Sequence, residues 1–263
     1  MINISKIFPK KFQFFNCILN LINIEYIMTK TEKKTTTKTQ AVQEDSSQIA
    51  YHGIRHMLYI KDLVPGQRIA YRDLAEKLNL SPTPIIQALK WLELQGFVLH
   101  EANRGYSMAP FSVKEIEELY ELRELIEPSL IPAVIQHIDK KGLVELKAAL
   151  EAHLSAEREF YLKERLFRNR EFHMTLASLS GKATQVRILQ NVFDMLFLKY
   201  GGNYFPLSSL QSTDQAHQEI CDAVAIRSLD RAQTVLKNHL TNVKVQVMSS
   251  IKKMLAEQER SEF

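Results

Sequence analysis

Cysteine is scarce in this chain, with two residues, Cys17 and Cys221, among 263. Their separation matches no metal or redox motif, and so few cysteines exclude a disulfide framework and indicate a reducing compartment. A strong charge of either sign is also missing, because 34 lysines and arginines oppose 30 aspartates and glutamates for a net charge of +4. A balance this small does not by itself indicate nucleic-acid binding, so any basic surface has to be local.

A long uninterrupted apolar run is missing too. Residues 12–28 are apolar, but Asn16, Asn20, Asn23 and Glu25 interrupt them, and no small-residue cleavage site follows. The run is too short and too polar for a membrane span, and it lacks the features of an export signal. We therefore expect a cytoplasmic protein with no membrane association.

Residues 1–47 are expected to be a disordered tail or a mis-assigned start. Thr29 to Ser47 are polar and cannot bury enough surface to fold. Translation from Met28 would make residues 1–27 an artefact of the gene model. Detection of a peptide from Ile2–Lys10 in the native protein would exclude that start.

Residues 48–110 carry the pattern of a winged helix-turn-helix domain. Apolar residues at helical spacing, followed by two short strand-like runs, predict three helices and a hairpin. The predicted helices are Gln48–Leu63, Tyr71–Leu78 and Pro82–Leu94, and the predicted strands are Phe97–His100 and Tyr106–Met108. Asn79 can end the second helix in the left-handed conformation, Ser81 can cap the third, and Gly105 permits the hairpin turn.

The outward face of the third predicted helix suits the major groove of DNA. Thr83, Gln87 and Lys90 share this face by helical spacing, and it carries no acidic residue. Glutamine can bond adenine, threonine can meet a thymine methyl group, and lysine can neutralise a phosphate. Arg72 on the preceding helix and Arg104 at the hairpin tip add positive charge. Winged helices also serve as protein-interaction modules, so that alternative stays open.

Residues 111–263 predict a separate all-α domain. A capping box at Ser112–Glu115 starts it, and about six amphipathic helices follow without strand alternation or an internal repeat. Pro128 and Pro132 are expected to bend or interrupt the first long helix. The fold class is therefore mainly α, with an N-terminal winged helix-turn-helix domain and a C-terminal helical bundle.

The helical domain holds five histidines, and the sequence alone does not choose metal ligands among them. They are His137, His153, His173, His217 and His239. A single histidine on a helix is usually a surface or core residue, so spacing carries little information here. The sequence likewise leaves two roles possible for Phe193, Leu196 and Tyr200, either as core residues or as residues that select the ligand.

Two sets of motifs resemble one known family. The stretch Leu63–Met108 resembles the DNA-binding domain of the GntR family of bacterial transcription regulators, and the helical half resembles the FCD domain of its FadR-like subfamily. The FCD-like motifs are Leu119–Glu127, Phe167–Ala177, Ala216–Val224 and Leu229–Leu240. The resemblance implies a ligand-responsive transcription regulator that binds a roughly palindromic double-stranded DNA operator as a homodimer.

The resemblance also implies particular DNA contacts. They come from Arg72, Thr83, Arg104 and Gly105. The chain departs from the family at Pro82 and Ile86, where members usually carry operator-contacting arginines. These losses leave more of the readout to Gln87 and Lys90, and they predict an atypical operator, a weaker salt dependence than in relatives, or both.

A divalent metal of the Zn, Ni or Mn class is a further implication of the resemblance. The matching ligand positions are Asn169, His173, His217 and His239. Asn169 stands where many members have aspartate, so it brings no charge, and we expect weaker metal retention and a preference for an anionic ligand. His137 and His153 match no role, and we expect both at the surface.

Arg123 matches the pocket arginine of the family, which implies a clamp for a small carboxylate effector. The alternative is an intrahelical pair with Glu127, four residues later. Two other functional interpretations are a metal-dependent enzyme and a metal-stabilised protein-interaction module. Against the enzyme, no local motif pairs a general-base carboxylate with the histidines, and no nucleophile signature is present.

Overall fold

The computed structural model of the chain describes residues 45–156, 162–201 and 210–261, which form two compact units dividing between Phe111 and Ser112. The first unit contains α1 Ser46–Ile60, β1 Arg68–Ile69, α2 Tyr71–Leu78, α3 Pro82–Leu94, β2 Val98–Glu101 and β3 Gly105–Met108. The second contains α4 Val113–His137, α5 Lys140–Leu154, α6 Leu162–Ser178, α7 Ala183–Asp194, α8 Leu210–Ala225 and α9 Leu229–Ser261. No helix among these residues is long and apolar enough to cross a lipid bilayer.

The first unit is a winged helix-turn-helix, as predicted. Its three helices bury Ile54, Ile85 and Leu89 completely. The three strands form an antiparallel sheet in the order β1-β3-β2, with Val98 opposite Met108. Because β2 and β3 are joined by a short hairpin, they form a wing beside α3.

The helix ends of this unit differ in detail from the predictions. α1 begins at Ser46, two residues earlier than predicted, because the Asp45 side chain accepts a hydrogen bond from the Ser47 amide. Residues 1–44 of the predicted tail lie outside the described part of the chain. Asn79 ends α2 with a φ of 52°, as predicted.

Ser81 occupies the N-cap position of α3, as predicted, but its hydroxyl makes no capping hydrogen bond. A capping hydroxyl accepts from the second or third amide of the helix, and the third position is Pro84, which has no N–H. At the start of the second unit, in contrast, the Ser112 hydroxyl accepts from the Glu115 amide at 3.2 Å.

The second unit is the predicted helical bundle. Its core joins apolar side chains from α4, α5, α6, α8 and α9. The fully buried members include Ile131, Val134, Leu146, Phe172, Val224, Leu236 and Leu240. The helix predicted over Glu157–Leu179 is observed from Leu162 to Ser178, and residues 157–161 lie outside the described part of the chain.

Pro128 and Pro132 do not interrupt the first long helix, because α4 runs unbroken from Val113 to His137. The alternative, that they bend it, stays a prediction. Pro132 cannot donate to the carbonyl of Pro128, four residues earlier. The side-chain amide of Gln233, on α9, donates to that carbonyl instead at 3.0 Å. A tertiary contact therefore satisfies the acceptor that the proline leaves open.

The helix predicted over Thr184–Tyr200 changes character near its end. α7 stops at Asp194, and a π-helical turn spans Met195–Lys199. The Glu115 carboxylate accepts hydrogen bonds from Lys199 Nζ, at 2.5 Å, and from the Tyr200 hydroxyl. These contacts hold the π-helical turn against the beginning of α4.

Candidate metal centre and DNA-binding surface

Three histidines from three helices converge on one buried point. His173 lies on α6, His217 on α8 and His239 on α9, and they are 1%, 0% and 5% exposed. The Nε2 atom of His217 lies 3.1 Å from Nε2 of His173 and 3.2 Å from Nε2 of His239. In a tetrahedral zinc site, bonds of about 2.0–2.1 Å place neighbouring nitrogens about 3.3 Å apart. Both distances from His217 are close to that spacing, and one ligand atom from each of the three rings lies within 4.8 Å of the others, so the group could hold one divalent cation.

Burial favours the uncharged form of all three rings. It is the largest cause that lowers the pKa of His173, and it holds the pKa values of His217 and His239 well below 6.5. The neighbouring histidines lower the latter two further. A neutral imidazole presents a nitrogen lone pair, which is the form that binds a metal.

A carboxylate from α4 supports this cluster. Glu127, which is 3% exposed, places its Oε2 atom 2.6 Å from Nδ1 of His173. Burial alone would raise the pKa of Glu127, but the charge of Arg123 and the contact with His173 lower it to about 2. An ionised carboxylate only accepts hydrogen bonds, so Nδ1 of His173 is the protonated nitrogen and Nε2 is free to bind a metal. The sequence had suggested Glu127 only as an intrahelical partner.

Arg123 is buried in the same region and is also 3% exposed. Its Nε donates to Oε1 of Glu127 at 2.7 Å, so the predicted intrahelical pair is present. The pair is buried and not exposed to solvent. The guanidinium carbon lies 4.4 Å from the ring centroid of Phe193, which in turn contacts the ring of His173. Nη2 of Arg123 is buried without a hydrogen-bond partner in the described part of the structure. A buried donor left in this state is a place where an anion would be stabilised.

Asn169 lies one helical turn before His173 on α6 and is half-buried. Residues four apart share one face of a helix, so its side chain belongs to the face that bears His173. Its assignment as a fourth ligand stays a prediction.

The prediction that His153 is a surface residue is wrong, because this residue is 1% exposed. Its ring packs edge-on against His217, with 4.6 Å between centroids, and its Nε2 lies 3.1 Å from the Asp214 carboxylate. Arg165 pairs with the same carboxylate. Burial and the charge of Arg165 lower the pKa of His153 to about 4. His137 is exposed, as predicted.

Sequence spacing could not show that His153 is buried while His137 is exposed. Both lie in the last turn of a helix, so their local patterns are alike. His153 is covered because α6 and α8 pack over α5, which is a tertiary fact.

The predicted DNA-contacting side chains lie on the surface of the first unit. Thr83, Gln87 and Lys90 are exposed on one face of α3, and Arg72 is exposed near the start of α2. The opposite face of α3 is the buried one, which leaves the exposed face available to a groove.

The wing carries Arg104 and Gly105 at its turn, and both are exposed. Arg104 pairs with Glu101 at 3.1 Å, with 73% of the arginine side chain accessible. A pair this exposed contributes little stability and can be exchanged for a phosphate contact.

Comparison with known proteins agrees with this architecture. A family model of the FCD domain matches residues 118–242, and a model of winged helix-turn-helix DNA-binding matches residues 67–98. The chain is 24% identical over 193 residues to the uncharacterised HTH-type transcriptional regulator YdhC of Bacillus subtilis, covering 73% of this chain and 86% of YdhC. It is also 24% identical over 193 residues to the Nta operon transcriptional regulator of Aminobacter aminovorans, covering 73% and 90%.

Solved structures show the same fold at low identity. McbR/YncC of E. coli superposes with a TM-score of 0.63 at 19% identity, covering 82% of this chain and 99% of that one. A GntR regulator from Rhodococcus sp. RHA1 superposes with a TM-score of 0.65 at 21% identity, covering 77% and 97%.

A DNA-binding winged helix joined to an FCD domain defines a transcriptional regulator, and the curated relatives are regulators rather than enzymes. The chain belongs to the GntR family of transcription regulators, in the group with a C-terminal FCD domain.

Proposed function

We propose that this regulator binds its operator as a homodimer in the cytoplasm and senses a small carboxylate at a divalent metal site in the helical unit. The observation that carries the proposal is the meeting of three Nε2 atoms beside a buried guanidinium. His173 and His217 supply two of these nitrogens, and Arg123 supplies the unpartnered donor.

His173, His217, His239 and the side-chain oxygen of Asn169 would hold the ion. A Zn, Ni or Mn ion, when bound, supplies positive charge and a coordination position for an effector oxygen. Arg123 and Glu127 offset each other in charge, and the amide of Asn169 is neutral. A positive site therefore remains, and it favours an anionic effector.

The effector carboxylate would bind Nη2 of Arg123, above the ring of Phe193. A charge-assisted bond to a buried guanidinium is strong because little water competes for it.

In the DNA-binding unit, Thr83, Gln87 and Lys90 would read the major groove, while Arg72 and the wing contact phosphates. Two copies related by a two-fold axis would match a roughly palindromic operator. Effector binding in one unit would change operator affinity through the other, as linkage requires.

The test is fluorescence anisotropy on DNA from upstream of the regulator's own gene, with and without Zn²⁺ and a panel of small carboxylates. We expect saturable binding to one palindrome and a change in affinity of fivefold or more with at least one acid, a typical size for allosteric coupling. Binding without any carboxylate effect would remove the sensing claim. Absence of sequence-selective binding would remove the operator claim.

A further inference from the structure

We propose that Glu127 is a positioning residue that ties the metal site to the Arg123 clamp. This inference rests on the proposed metal site. Its basis is that one buried carboxylate contacts both parts: Oε1 accepts from Arg123, and Oε2 accepts from His173.

The contact with His173 decides which ring nitrogen faces the ion. Because Nδ1 donates to Oε2, the proton is on Nδ1 and the lone pair is on Nε2, which lies 3.1 Å from Nε2 of His217. The other tautomer would place a proton where the cation has to sit. Glu127 therefore selects the metal-binding form of His173 and orients its ring.

The contact with Arg123 decides which part of the guanidinium remains for an effector. Glu127 takes the Nε donor, the Tyr120 side chain also interacts with the guanidinium, and Nη2 has no hydrogen-bond partner in the described structure. Phe193 lies over the guanidinium plane, at 4.4 Å from its carbon atom. The effector carboxylate is thus directed to the Nη2 edge, and its orientation depends on Glu127.

Only a carboxylate satisfies both donors. Each oxygen accepts one hydrogen bond, whereas a glutamine side chain has a single acceptor oxygen and would set its NH₂ group against the second donor. Glutamine at position 127 would also leave the charge of Arg123 without an opposite charge beside the ion. Both effects predict weaker metal binding by Glu127→Gln.

Removing the arginine should reverse both effects. In the double variant Arg123→Met/Glu127→Gln, the amide oxygen can face His173 alone, and no unpaired cation remains. Arg123→Met by itself keeps the acceptor for His173, so it should bind metal at least as tightly as the wild type. A conventional structural role for Glu127 predicts no such rescue.

The experiment is Zn²⁺ affinity of the full-length protein, measured by competition with a chromophoric chelator. We expect Glu127→Gln to weaken binding about 10- to 100-fold, the usual effect of losing such a support. The double variant should recover most of that loss. The control is Glu121→Gln, an exposed glutamate on the same helix, which should leave the affinity unchanged.

Two further measurements keep the result interpretable. Thermal melts identify variants that fail to fold, and the double variant is expected to fold because neutral replacements of a buried ion pair are well tolerated. Nitrogen-15 NMR of the histidine rings reports the tautomer of His173, which should be protonated at Nδ1 in the wild type and become mixed in Glu127→Gln.

The proposal is overturned if folded Glu127→Gln binds Zn²⁺ like the wild type, or if the double variant binds no better than Glu127→Gln. Either result leaves the operator and effector responses of the wild type intact, so the proposed function survives it. If the wild type itself binds no Zn²⁺, Ni²⁺ or Mn²⁺, the proposed metal site fails and this inference fails with it.

Discussion

The two units of this regulator use charge in opposite ways. In the winged helix, the candidate contact residues Arg72, Lys90 and Arg104 are exposed. In the helical unit, Arg123 and Glu127 are each 3% exposed. Exposed charges suit a large polyanion that approaches from outside, whereas buried charges act strongly on a small ligand because water does not screen them. The candidate DNA contacts of the first unit therefore lie on its surface, and the candidate effector contacts of the second are buried.

The largest effect should come from removing the central ligand of the proposed metal site. His217 contacts both other histidines of the cluster, so His217→Ala should weaken Zn²⁺ affinity by about 100-fold or more, beyond the usual effect of an outer-sphere change. Chelator competition measures it. Operator affinity without metal should stay the same, and a parallel loss of DNA binding would break the separation between the units.

Stability of the metal-free protein should fall in mild acid. The folded pKa values of His173, His217 and His239 lie below 6.5, so below this pH the unfolded chain binds more protons than the folded one. Their contribution is complete above pH 6.5 and is lost as the pH falls below it, because the unfolded histidines take up protons that the folded ones do not. Urea unfolding at pH 7.5, 6.0 and 5.0 checks the sign; a flat profile would contradict it.

On the DNA side, Gln87 and Lys90 should behave differently from each other. Gln87→Ala should cost about 1–3 kcal/mol on the preferred operator and relax selectivity at one base pair. Lys90→Ala should weaken binding to all sequences and reduce the salt slope by about 1. Anisotropy titrations at several salt concentrations on matched and mismatched operators distinguish the two; identical profiles would argue against base readout by Gln87.

Charge at position 169 tests how positive the proposed metal site is. Asn169→Asp adds a negative charge on the face that bears His173 and should tighten Zn²⁺ binding by about tenfold, about 1.4 kcal/mol. Isothermal titration calorimetry measures the change. Unaltered affinity would mean that Asn169 does not face the ion.

The smallest effect compares one serine from each unit. Ser112→Ala removes a capping hydrogen bond to the Glu115 amide and should cost about 1 kcal/mol of unfolding free energy. Ser81→Ala is the matched control, since the Ser81 hydroxyl makes no capping bond, and it should cost close to nothing. Urea melts of the two variants give both values, and equal costs would contradict the assignment.

Local signals explain how well the first unit was predicted. The spans Tyr71–Leu78 and Pro82–Leu94 are as predicted, because apolar spacing, a left-handed Asn79 and prolines at a helix start all act within a few residues. The missing hydrogen bond at Ser81 has a local cause as well, since Pro84 removes one of the two amides that a capping hydroxyl can use.

The buried site of the helical unit could be predicted less well from local sequence patterns. The carbonyl of Pro128, which Pro132 leaves without an amide donor inside α4, accepts from Gln233, about a hundred residues later. His137 and His153 occupy equivalent places in their helices, yet only packing by other helices buries the second. The double contact of Glu127 links α4 to α6, and helical spacing within α4 reveals only its Arg123 half.

The sequence by itself determined the two-part architecture and the face of α3 that points outward, because helical periodicity and turn residues act over short distances. The family resemblance added the three histidines as a set. Only the tertiary structure decided that their Nε2 atoms meet, that Glu127 supports one of them, and that Arg123 keeps an unpartnered donor in a buried place. The contacts between the histidines and between Glu127 and His173 join residues 22 to 46 positions apart, which no local pattern encodes.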